Sequence, residues 1–413
     1  MHILVIAQLF PPDMGGGSTR AYNVVKGLSS LGYKITVITA FPHYPTGKIP
    51  KEYRRKLLIV ERGERLSVFR TWVPPLASRG FIRRLVLFTS FSISSLFALP
   101  FVGRIDAAWA ANPNIFSLFP ALFYGRLKGC PVVQNVDDLW PEQVYDLGML
   151  KSPLLRRLAE YVSKFTYTVS AAITPISPAY VNVIVNKYEI NPEKLHVVPA
   201  GVDLDKFATQ RNNTERKERD GDFKVLYIGA LSPNYDFDQV LKAAKLLCRN
   251  SRIKFVIQGG GELADALKSK VKKMGLRNVE VVNRIVSREE VARILGEADA
   301  LLLPLNSVGS IEMGISSKLY EYQAAGKPIL CCSSGQPGRY VSETKSGIVV
   351  QPGDYESLAK SILYLRENHG VAEKLGECGR RYVESNLSIE KIGLKMKKLF
   401  EAITVKSAYE YSI

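Results

Sequence analysis

The chain has 413 residues. A domain with a single hydrophobic core is usually shorter than this, so we expect at least two domains. Its composition, 46% hydrophobic and 23% charged without low-complexity tracts, excludes a largely disordered protein. The net charge of +17 is spread evenly, because residues 1–205 carry 23 basic and 14 acidic residues and 206–413 carry 33 and 25. That even spread, together with the lack of a nucleic-acid recognition motif, argues against a nucleic-acid-binding protein. Because the chain is basic, a non-catalytic nucleic-acid binder nevertheless stays an alternative.

In the first half, short apolar runs alternate with amphipathic stretches. Residues 3–7 predict a strand, 18–31 a helix with Ser18 as its N-cap, and 34–39 a second strand. Further strands are predicted at 107–110, 132–136, 171–174 and 195–198, with a helix over 154–167. This βαβα order is typical of a parallel sheet covered by helices on both faces.

The alternation stops at a polar, charged segment and then starts again. Residues 206–222 predict an exposed linker, and the strand pattern resumes at 224–229. We therefore predict an N-terminal Rossmann-like domain over 1–205 and a second over 223–387, with a final helical segment over 388–413.

A basic stretch precedes the longest apolar run. Lys48–Arg84 holds 11 basic and 3 acidic residues, and 85–102 follows with five Ser or Thr residues and a proline. Two interpretations stay open: a peripheral contact of 48–102 with an anionic membrane surface, or a solvated face beside a core helix. A membrane span is the weaker prediction for 85–102. The chain opens on a strand without a signal-peptide pattern, so we expect a cytoplasmic location.

Two glycine loops follow predicted strands, one in each half. Gly15, Gly16 and Gly17 precede the first helix, and Gly259, Gly260 and Gly261 follow the strand over 254–258. Glycine lets the backbone approach a ligand, and a helix N-terminus offers amides to an anion. The dinucleotide pattern GxGxxG is absent, since Arg20 stands at its last glycine. The presence of such a loop in each half favours one ligand held between two domains. The alternative is that both loops are only flexible turns.

The segment Ser316–Pro328 predicts an anion site at the start of a helix. Ser317 can cap that helix, Lys318 lies in its first turn, and Glu321 follows one turn later. Lysine and the helix dipole favour phosphate, and a charged carboxylate can accept from ribose hydroxyls. The alternative is an ordinary surface Lys–Glu pair.

Two adjacent carboxylates, Asp137 and Asp138, follow the strand over 132–136. Carboxyl ends of parallel strands meet substrates, so either can orient or deprotonate an acceptor hydroxyl. The alternative for Asp138 is a helix N-cap. No His or Cys cluster has metal-ligand spacing, so we expect no metal and no other cofactor.

Together these segments resemble the family-4 glycosyltransferases of the GT-B fold over nearly the whole chain. The resemblance runs through residues 10–28, 196–207, 259–262, 298–304 and 317–328, and residues 137–142 (DDLWPE) are similar to a subgroup that handles cell-surface polysaccharide sugars. It implies an α/β fold of two Rossmann-like domains facing across a cleft, with the last helix crossing back to the first domain. It also implies metal-independent, retaining transfer of a sugar from a nucleotide-diphosphate donor, expected to be a UDP-sugar, to a saccharide or lipid-linked acceptor.

The resemblance carries over to named positions in this chain. Glu321 would bind the donor ribose and Lys318 the diphosphate, while Asp137, Asp138 and Glu312 are the catalytic candidates. The remaining donor-binding candidates are Gly229, Gly259, Gly260, Gly261, Arg284, Ile285, Ser317 and Leu319, and the loop Gly15, Gly16 and Gly17 is expected to bind the acceptor or a phosphate.

Two departures leave choices open. Glu312 stands nine residues before Glu321, whereas the family's paired glutamates are eight apart, which leaves the role of Glu312 open. The loop 229–236 lacks the Arg and Lys that many members use for the diphosphate. The nearest rival function is an epimerase or hydrolase of nucleotide sugars on the same architecture.

Overall fold

The structure is a computed structural model that describes residues 1–44, 46–77, 80–111, 115–146, 148–213, 221–249 and 252–410, with only the backbone described for 81, 209–213 and 406–410. The chain forms two compact units. Unit 1 comprises Met1–Gly201 and Ile389–Ile413, and unit 2 comprises Val202–Ser388.

Unit 1 is built on a seven-stranded sheet. Its strands are β1 (His2–Ile6), β2 (Lys34–Ala40), β3 (Leu58–Arg62), β4 (Leu66–Thr71), β5 (Ala107–Ala110), β6 (Val132–Val136) and β7 (Ala172–Pro175). They stand in the order β3-β4-β2-β1-β5-β6-β7, and every pair is parallel except the β3–β4 pair at one edge. Strands β5, β6 and β7 are buried along their whole length, and so is β1 after His2, because helices cover both faces of the sheet.

Within the described part of residues 1–201, unit 1 has six α-helices together with short 3-10 turns. They are α1 (Gly16–Ser30), α2 (Phe81–Ser94), α3 (Leu118–Lys128), α4 (Glu142–Asp146), α5 (Pro153–Val169) and α6 (Pro178–Tyr188). Helix α2 continues as a 3-10 helix over Ser95–Phe101. Buried side chains from α2, α3 and the central strands form one core, with Phe91 and Tyr124 fully enclosed.

The last helix of the chain, α15 (Ile389–Glu410), packs on α1 in unit 1. The two helices touch through backbone at Gly27 and Gly393. A Cβ on Gly393 would lie 2.5 Å from the Gly27 carbonyl oxygen, and one on Gly27 would lie 2.6 Å from the Ile389 carbonyl oxygen. Only glycine permits this approach, so two single residues determine how closely the helices pack.

Unit 2 contains a six-stranded parallel sheet. Its strands are β8 (Phe223–Ile228), β9 (Ile253–Gln258), β10 (Val279–Val282), β11 (Ala300–Pro304), β12 (Ile329–Cys332) and β13 (Gly347–Val350), in the order β10-β9-β8-β11-β12-β13. Its helices are α7 (Phe237–Leu246), α8 (Ala264–Lys273), α9 (Arg288–Gly296), α10 (Gly309–Met313), α11 (Ser317–Ala324), α12 (Gln336–Glu343), α13 (Tyr355–Glu367) and α14 (His369–Asn386). The strand order reverses direction between β8 and β11, which is where ligands bind in open sheets of this kind.

The structure corrects several local predictions. Helix α1 begins at Gly16 after Gly15, while the Ser18 hydroxyl donates to the Asp13 carbonyl at 2.6 Å rather than capping the helix. Residues 195–198 form one bridge between Ile173 and Leu195 instead of a strand. The hairpin β3–β4 was missed, because its strands are short and half exposed.

The predicted linker over 206–222 is partly helical. Leu204–Asn213 forms 3-10 turns, and Phe207 there is buried in unit 2. Burial of that one aromatic ring offsets the polar pattern that predicted an exposed segment. Residues 214–220 of the predicted linker lie outside the described residues.

We expect Gly393→Ala to destabilise unit 1 by about 2 kcal/mol, because the methyl group overlaps the Gly27 carbonyl and forces the helices apart. Thermal unfolding and limited proteolysis of the C-terminal helix measure the effect. Gly370→Ala is the matched control, since a Cβ there meets nothing within 4 Å. Equal stability of the two variants would contradict the tight packing of α15 on α1.

Candidate functional site

The first candidate site lies at the carboxyl ends of β8 and β9 in unit 2. The Gly229 amide donates to the Gln258 carbonyl at 2.9 Å, and the Leu231 amide donates to the Gly260 carbonyl at 2.9 Å. A Cβ on Gly259 would fall 1.7 Å from the Gly229 carbonyl oxygen. The two glycine loops therefore pack backbone against backbone, as only glycine allows.

Lys318 lies across this pair of loops. A Cβ on Gly229 would sit 2.1 Å from the Lys318 Cε, so the absence of a side chain at Gly229 is what makes room for the lysine. Lys318 Nζ donates to the Tyr235 hydroxyl at 2.8 Å and lies 5.0 Å from the centre of that ring. The ammonium group is thus held beside the half-buried backbone of Gly229, an arrangement suited to a phosphate.

The start of α11 differs from the prediction by one residue. Ser316, not Ser317, is the N-cap, and its hydroxyl accepts from the Lys318 amide at 3.4 Å. Leu319 is completely buried and its amide donates to the Ser316 carbonyl, so Leu319 positions the helix rather than facing a ligand. Ser317 opens the helix and is partly exposed.

Glu321 is paired with an arginine that the sequence did not single out. Arg288 Nη1 lies 3.4 Å from Glu321 Oε1, and both side chains are partly exposed. Arg288 begins α9, which follows β10, whereas Glu321 is on α11. Only the fold brings them together, since 33 residues separate them in the chain.

Arg284 and Ile285 border the glycine loops after β10. A Cβ on Gly260 would lie 2.8 Å from Ile285 Cδ1, so this exposed side chain covers Gly260. The Arg284 side chain turns to Glu290, with Nη2 at 2.7 Å from Oε1. Ile285 is thus placed beside the loops, while the Arg284 guanidinium is engaged elsewhere on the surface.

Glu312 is hydrogen-bonded to the segment that precedes α12. Its carboxylate accepts from the Ser333 hydroxyl at 2.5 Å, the Gly335 amide at 2.6 Å and the Ser334 amide at 3.3 Å. These donors precede α12, so the carboxylate faces the positive end of that helix. These hydrogen bonds fix the orientation of the Glu312 carboxylate, and its catalytic role stays a prediction.

The second candidate site lies at the carboxyl ends of β1 and β6 in unit 1. Gly15 and Gly16 are exposed, and a Cβ on Gly15 would lie 3.2 Å from the Tyr44 ring. Buried Asp13 accepts from the amides of His43 and Tyr44 at 2.9 and 2.8 Å, tying the loop after β1 to the loop after β2. Burial raises the pKa of Asp13.

Asp137 is held by a buried arginine from α1. Arg20 Nε lies 2.7 Å from Asp137 Oδ1, and the same guanidinium donates to Asn135 Oδ1 at 2.9 and 2.6 Å. Arg20 is fully buried, while the Asp137 side chain keeps 13% exposure. Burial raises the pKa of Asp137 to about 7, and the Arg20 charge and an Asn135 hydrogen bond work in the opposite direction. In the sequence, Arg20 is notable only because it stands where GxGxxG has its last glycine, and nothing there predicts its contact with Asp137.

Asp138 has a different environment. Its carboxylate accepts from Gln143 Nε2 at 3.5 Å, and burial raises its pKa while Arg84 lowers it. Asp138 precedes α4 by four residues, so the predicted N-cap role does not fit the position where α4 begins. Asp137 and Asp138 therefore remain adjacent candidates with distinct partners.

Among the described residues, no group of three or more His, Cys, Asp and Glu side chains is placed to hold a metal ion.

Comparisons with known proteins bear on the family and the fold of the chain. The family model for Glycosyltransferase Family 4 matches residues 14–206, and the model for Glycosyl transferases group 1 matches residues 209–382. The chain is 17% identical to a sucrose-phosphate synthase of Thermosynechococcus elongatus, with a TM-score of 0.77 over 98% of this chain and 100% of that one. The chain is a GT-B glycosyltransferase.

Two further proteins illustrate the range of similarity of this glycosyltransferase. WcaI of Escherichia coli K12, named for a glycosyl transferase of colanic acid biosynthesis, is 25% identical over 95% of this chain and 98% of its own. Alr3699/HepE of Anabaena, solved in complex with UDP-glucose, is 14% identical with a TM-score of 0.68, over 97% of this chain and 100% of that one. This chain is thus similar in sequence to WcaI and similar in fold to Alr3699/HepE.

If the donor is a UDP-sugar and Glu321 binds its ribose, as the family resemblance implies, Glu321→Gln should weaken UDP binding by roughly 10- to 100-fold, because a charge-assisted hydrogen bond to a ribose hydroxyl would be lost. Isothermal titration calorimetry with UDP measures it. Arg288→Gln should weaken binding less, since it leaves the carboxylate in place. Glu297→Gln is the control, because that glutamate pairs with Arg293 on the exposed surface of α9. Equal UDP affinity in the Glu321 and Glu297 variants would remove the ribose assignment.

If Asp137 acts as the proton acceptor, kcat/KM should fall as pH drops below about 7, where its carboxylate becomes protonated. Arg20 lowers that pKa, so Arg20→Gln should move the acid limb to higher pH by on the order of one unit. Arg20→Lys, which keeps the charge, should move it less.

The control for this series is Arg62→Gln, at an exposed position on β3, and thermal unfolding checks that each variant folds. An acid limb that stays in place in Arg20→Gln would show that Asp137 does not control it. Asp138→Asn with unchanged turnover would leave Asp137 as the single carboxylate candidate of this pair.

Proposed function

We propose that this glycosyltransferase transfers a hexosyl group from a UDP-sugar to a saccharide or lipid-linked acceptor, with retention of anomeric configuration. The observation that carries the donor assignment is the position of Lys318, which lies over Gly229 with its ammonium group on Tyr235. A cation, half-buried glycine backbone and the first turn of α11 converge there. These are the groups that bind a diphosphate.

Glu321 and the loops complete the proposed donor site. Glu321 would accept from the ribose hydroxyls, with Arg288 keeping its carboxylate oriented. Gly259, Gly260 and Gly261 would admit the nucleotide close to backbone, with the backbone of Arg284 and the side chain of Ile285 at the margin. The choice of uridine is supported by the fold shared with Alr3699/HepE, which was solved with UDP-glucose.

In unit 1 we assign the acceptor to the Gly15–Gly17 loop and the aspartates after β6. Asp137 is the better candidate to take the acceptor proton, because its carboxylate is nearly enclosed and is oriented by Arg20. The prediction that the two domains face each other across a cleft stays a prediction.

Retention and independence of metal are carried over from the family resemblance. Lys318 and loop amides would then carry the diphosphate charge that a metal carries in other transferases. Cytoplasmic location and a peripheral membrane contact through 48–102 also belong to this proposal, since a lipid-linked acceptor requires an enzyme at the membrane surface.

A panel of nucleoside diphosphates and sugar nucleotides tests the donor assignment by thermal shift and by turnover with acceptor. We expect UDP and one UDP-sugar to stabilise the protein most. Lys318→Met should abolish that stabilisation and lower kcat/KM on the order of 10²- to 10³-fold, whereas Lys268→Met, at an exposed lysine on α8, should change neither. Proton NMR of the product gives the anomeric configuration.

Contradictory outcomes are specific. Preference for a different base would overturn UDP, and an inverted anomer would overturn retention. A new sugar nucleotide, or free sugar at full rate, formed without acceptor would instead favour the epimerase or hydrolase alternative.

A further inference from the structure

Three helices of unit 1 share one face of its sheet. The chain moves from β4 to β5 through α2, from β5 to β6 through α3 and from β6 to β7 through α5, always in the same direction along the sheet. Crossovers between parallel strands are right-handed, so these three helices cover the same face. The step from β1 to β2 runs the other way, which places α1 and its partner α15 on the opposite face.

Helix α5 exposes an apolar ridge along its whole length. Leu154, Leu158, Tyr161 and Phe165 recur at the spacing of one helix face, with Leu154 75% and Tyr161 70% exposed. The opposite side of the helix is buried through Ala159, Ser163 and Thr166 together with Tyr167. A helix that buries one side and exposes a continuous row of large apolar side chains on the other has a second surface to cover.

The neighbouring helices continue this ridge. On α3, Phe119, Phe123 and Leu127 are exposed at intervals of four residues. On α2 and its 3-10 extension, the exposed apolar residues are Ile82, Leu85, Val86, Ile93, Phe97 and Phe101. We call these residues of α2, α3 and α5 the apolar face.

Charges beside the apolar face are mostly positive. Residues 81–101, α3 and α5 together carry seven basic residues and one acidic residue, Glu160. Two of the charged residues of α5 are in ion pairs, Glu160 with Lys187 and Lys164 with Glu189. An apolar surface framed by Lys and Arg is complementary to a bilayer with anionic headgroups.

We propose that the apolar face lies on an anionic lipid bilayer, with α5 as one of its main contacts. This deepens the membrane part of the proposed function and extends it beyond 48–102 to residues 119–169. A second copy of the chain fits less well, because two such faces would bring like charges together.

The geometry favours lying on the bilayer over crossing it. The segment Ile82–Phe101 is long and apolar enough for a membrane span by length and composition. Yet Leu87, Phe91 and Ala98 within it belong to the core of unit 1. Crossing would remove those side chains from the sheet, whereas a surface contact uses only the residues already exposed.

Flotation of the full chain with vesicles tests this inference without donor or turnover, so its failure is separable from failure of the transferase assignment. The vesicles are phosphatidylcholine alone or with roughly one third phosphatidylglycerol, at low and at high salt. The ridge variant combines Leu154→Ser, Leu158→Ser and Phe165→Ser. The matched control combines Leu246→Ser and Tyr364→Ser, which are 54% and 48% exposed on helices of unit 2.

We expect the unmodified chain and the control to float with anionic vesicles, less so at high salt, and the ridge variant to bind about tenfold or more weakly. Thermal unfolding should be unchanged in both variants, since the substituted side chains are exposed. Absence of flotation at low salt, or equal flotation of ridge variant and control, would overturn the inference. A dimer in sedimentation velocity that the ridge variant dissociates would overturn it in favour of a second copy.

Discussion

The donor-site geometry depends on how closely backbone can approach backbone where side chains are missing. Gly229 leaves the space that the Lys318 side chain fills, and Gly259 leaves the space that the Gly229 carbonyl fills. Each of these spaces would be closed by a single methyl group. The position of the cation is therefore determined by steric exclusion as much as by attraction, and its partner Tyr235 then holds the ammonium group in place.

Unit 1 positions a charge by a different means. Its central carboxylate, Asp137, is nearly enclosed, and a buried guanidinium with a hydrogen-bonded asparagine compensates for the loss of water. Burial and ion pairing push the pKa of Asp137 in opposite directions, and the balance near neutrality suits a group that exchanges a proton. Arg20 also links α1 to the carboxyl end of β6. One side chain therefore both stabilises the packing of this helix and compensates the charge of Asp137.

The apolar face illustrates a constraint on the outer surface of the same unit. Large apolar residues such as Leu154 and Phe165 point outward from α5, an exposure that stability in water alone does not favour. If the acceptor is carried on a lipid, as we propose, that exposure has a function. The basic residues beside it would then supply orientation as well as affinity.

Much of the architecture follows from the sequence alone. The alternation of apolar strands and amphipathic helices, interrupted once near residue 206, determines two Rossmann-like domains, because buried parallel strands must be apolar on both faces. Glycines after strands and the Lys318–Glu321 spacing predicted a phosphate and ribose site, because flexible backbone, a lysine and a carboxylate suit those groups, with a surface Lys–Glu pair as the alternative. Short, half-exposed strands such as β3 gave too weak a periodicity to be predicted.

Tertiary structure decided which distant residues meet. Arg20 reaches Asp137 across 117 positions of the chain, Arg288 reaches Glu321, and Glu312 turns to the amides before α12. No local spacing encodes these contacts, because they depend on strand order and on which face each helix covers. The outward apolar face has the same origin: periodicity shows that α5 is amphipathic, and only its packing shows that Leu154, Leu158 and Phe165 lie on the exposed side.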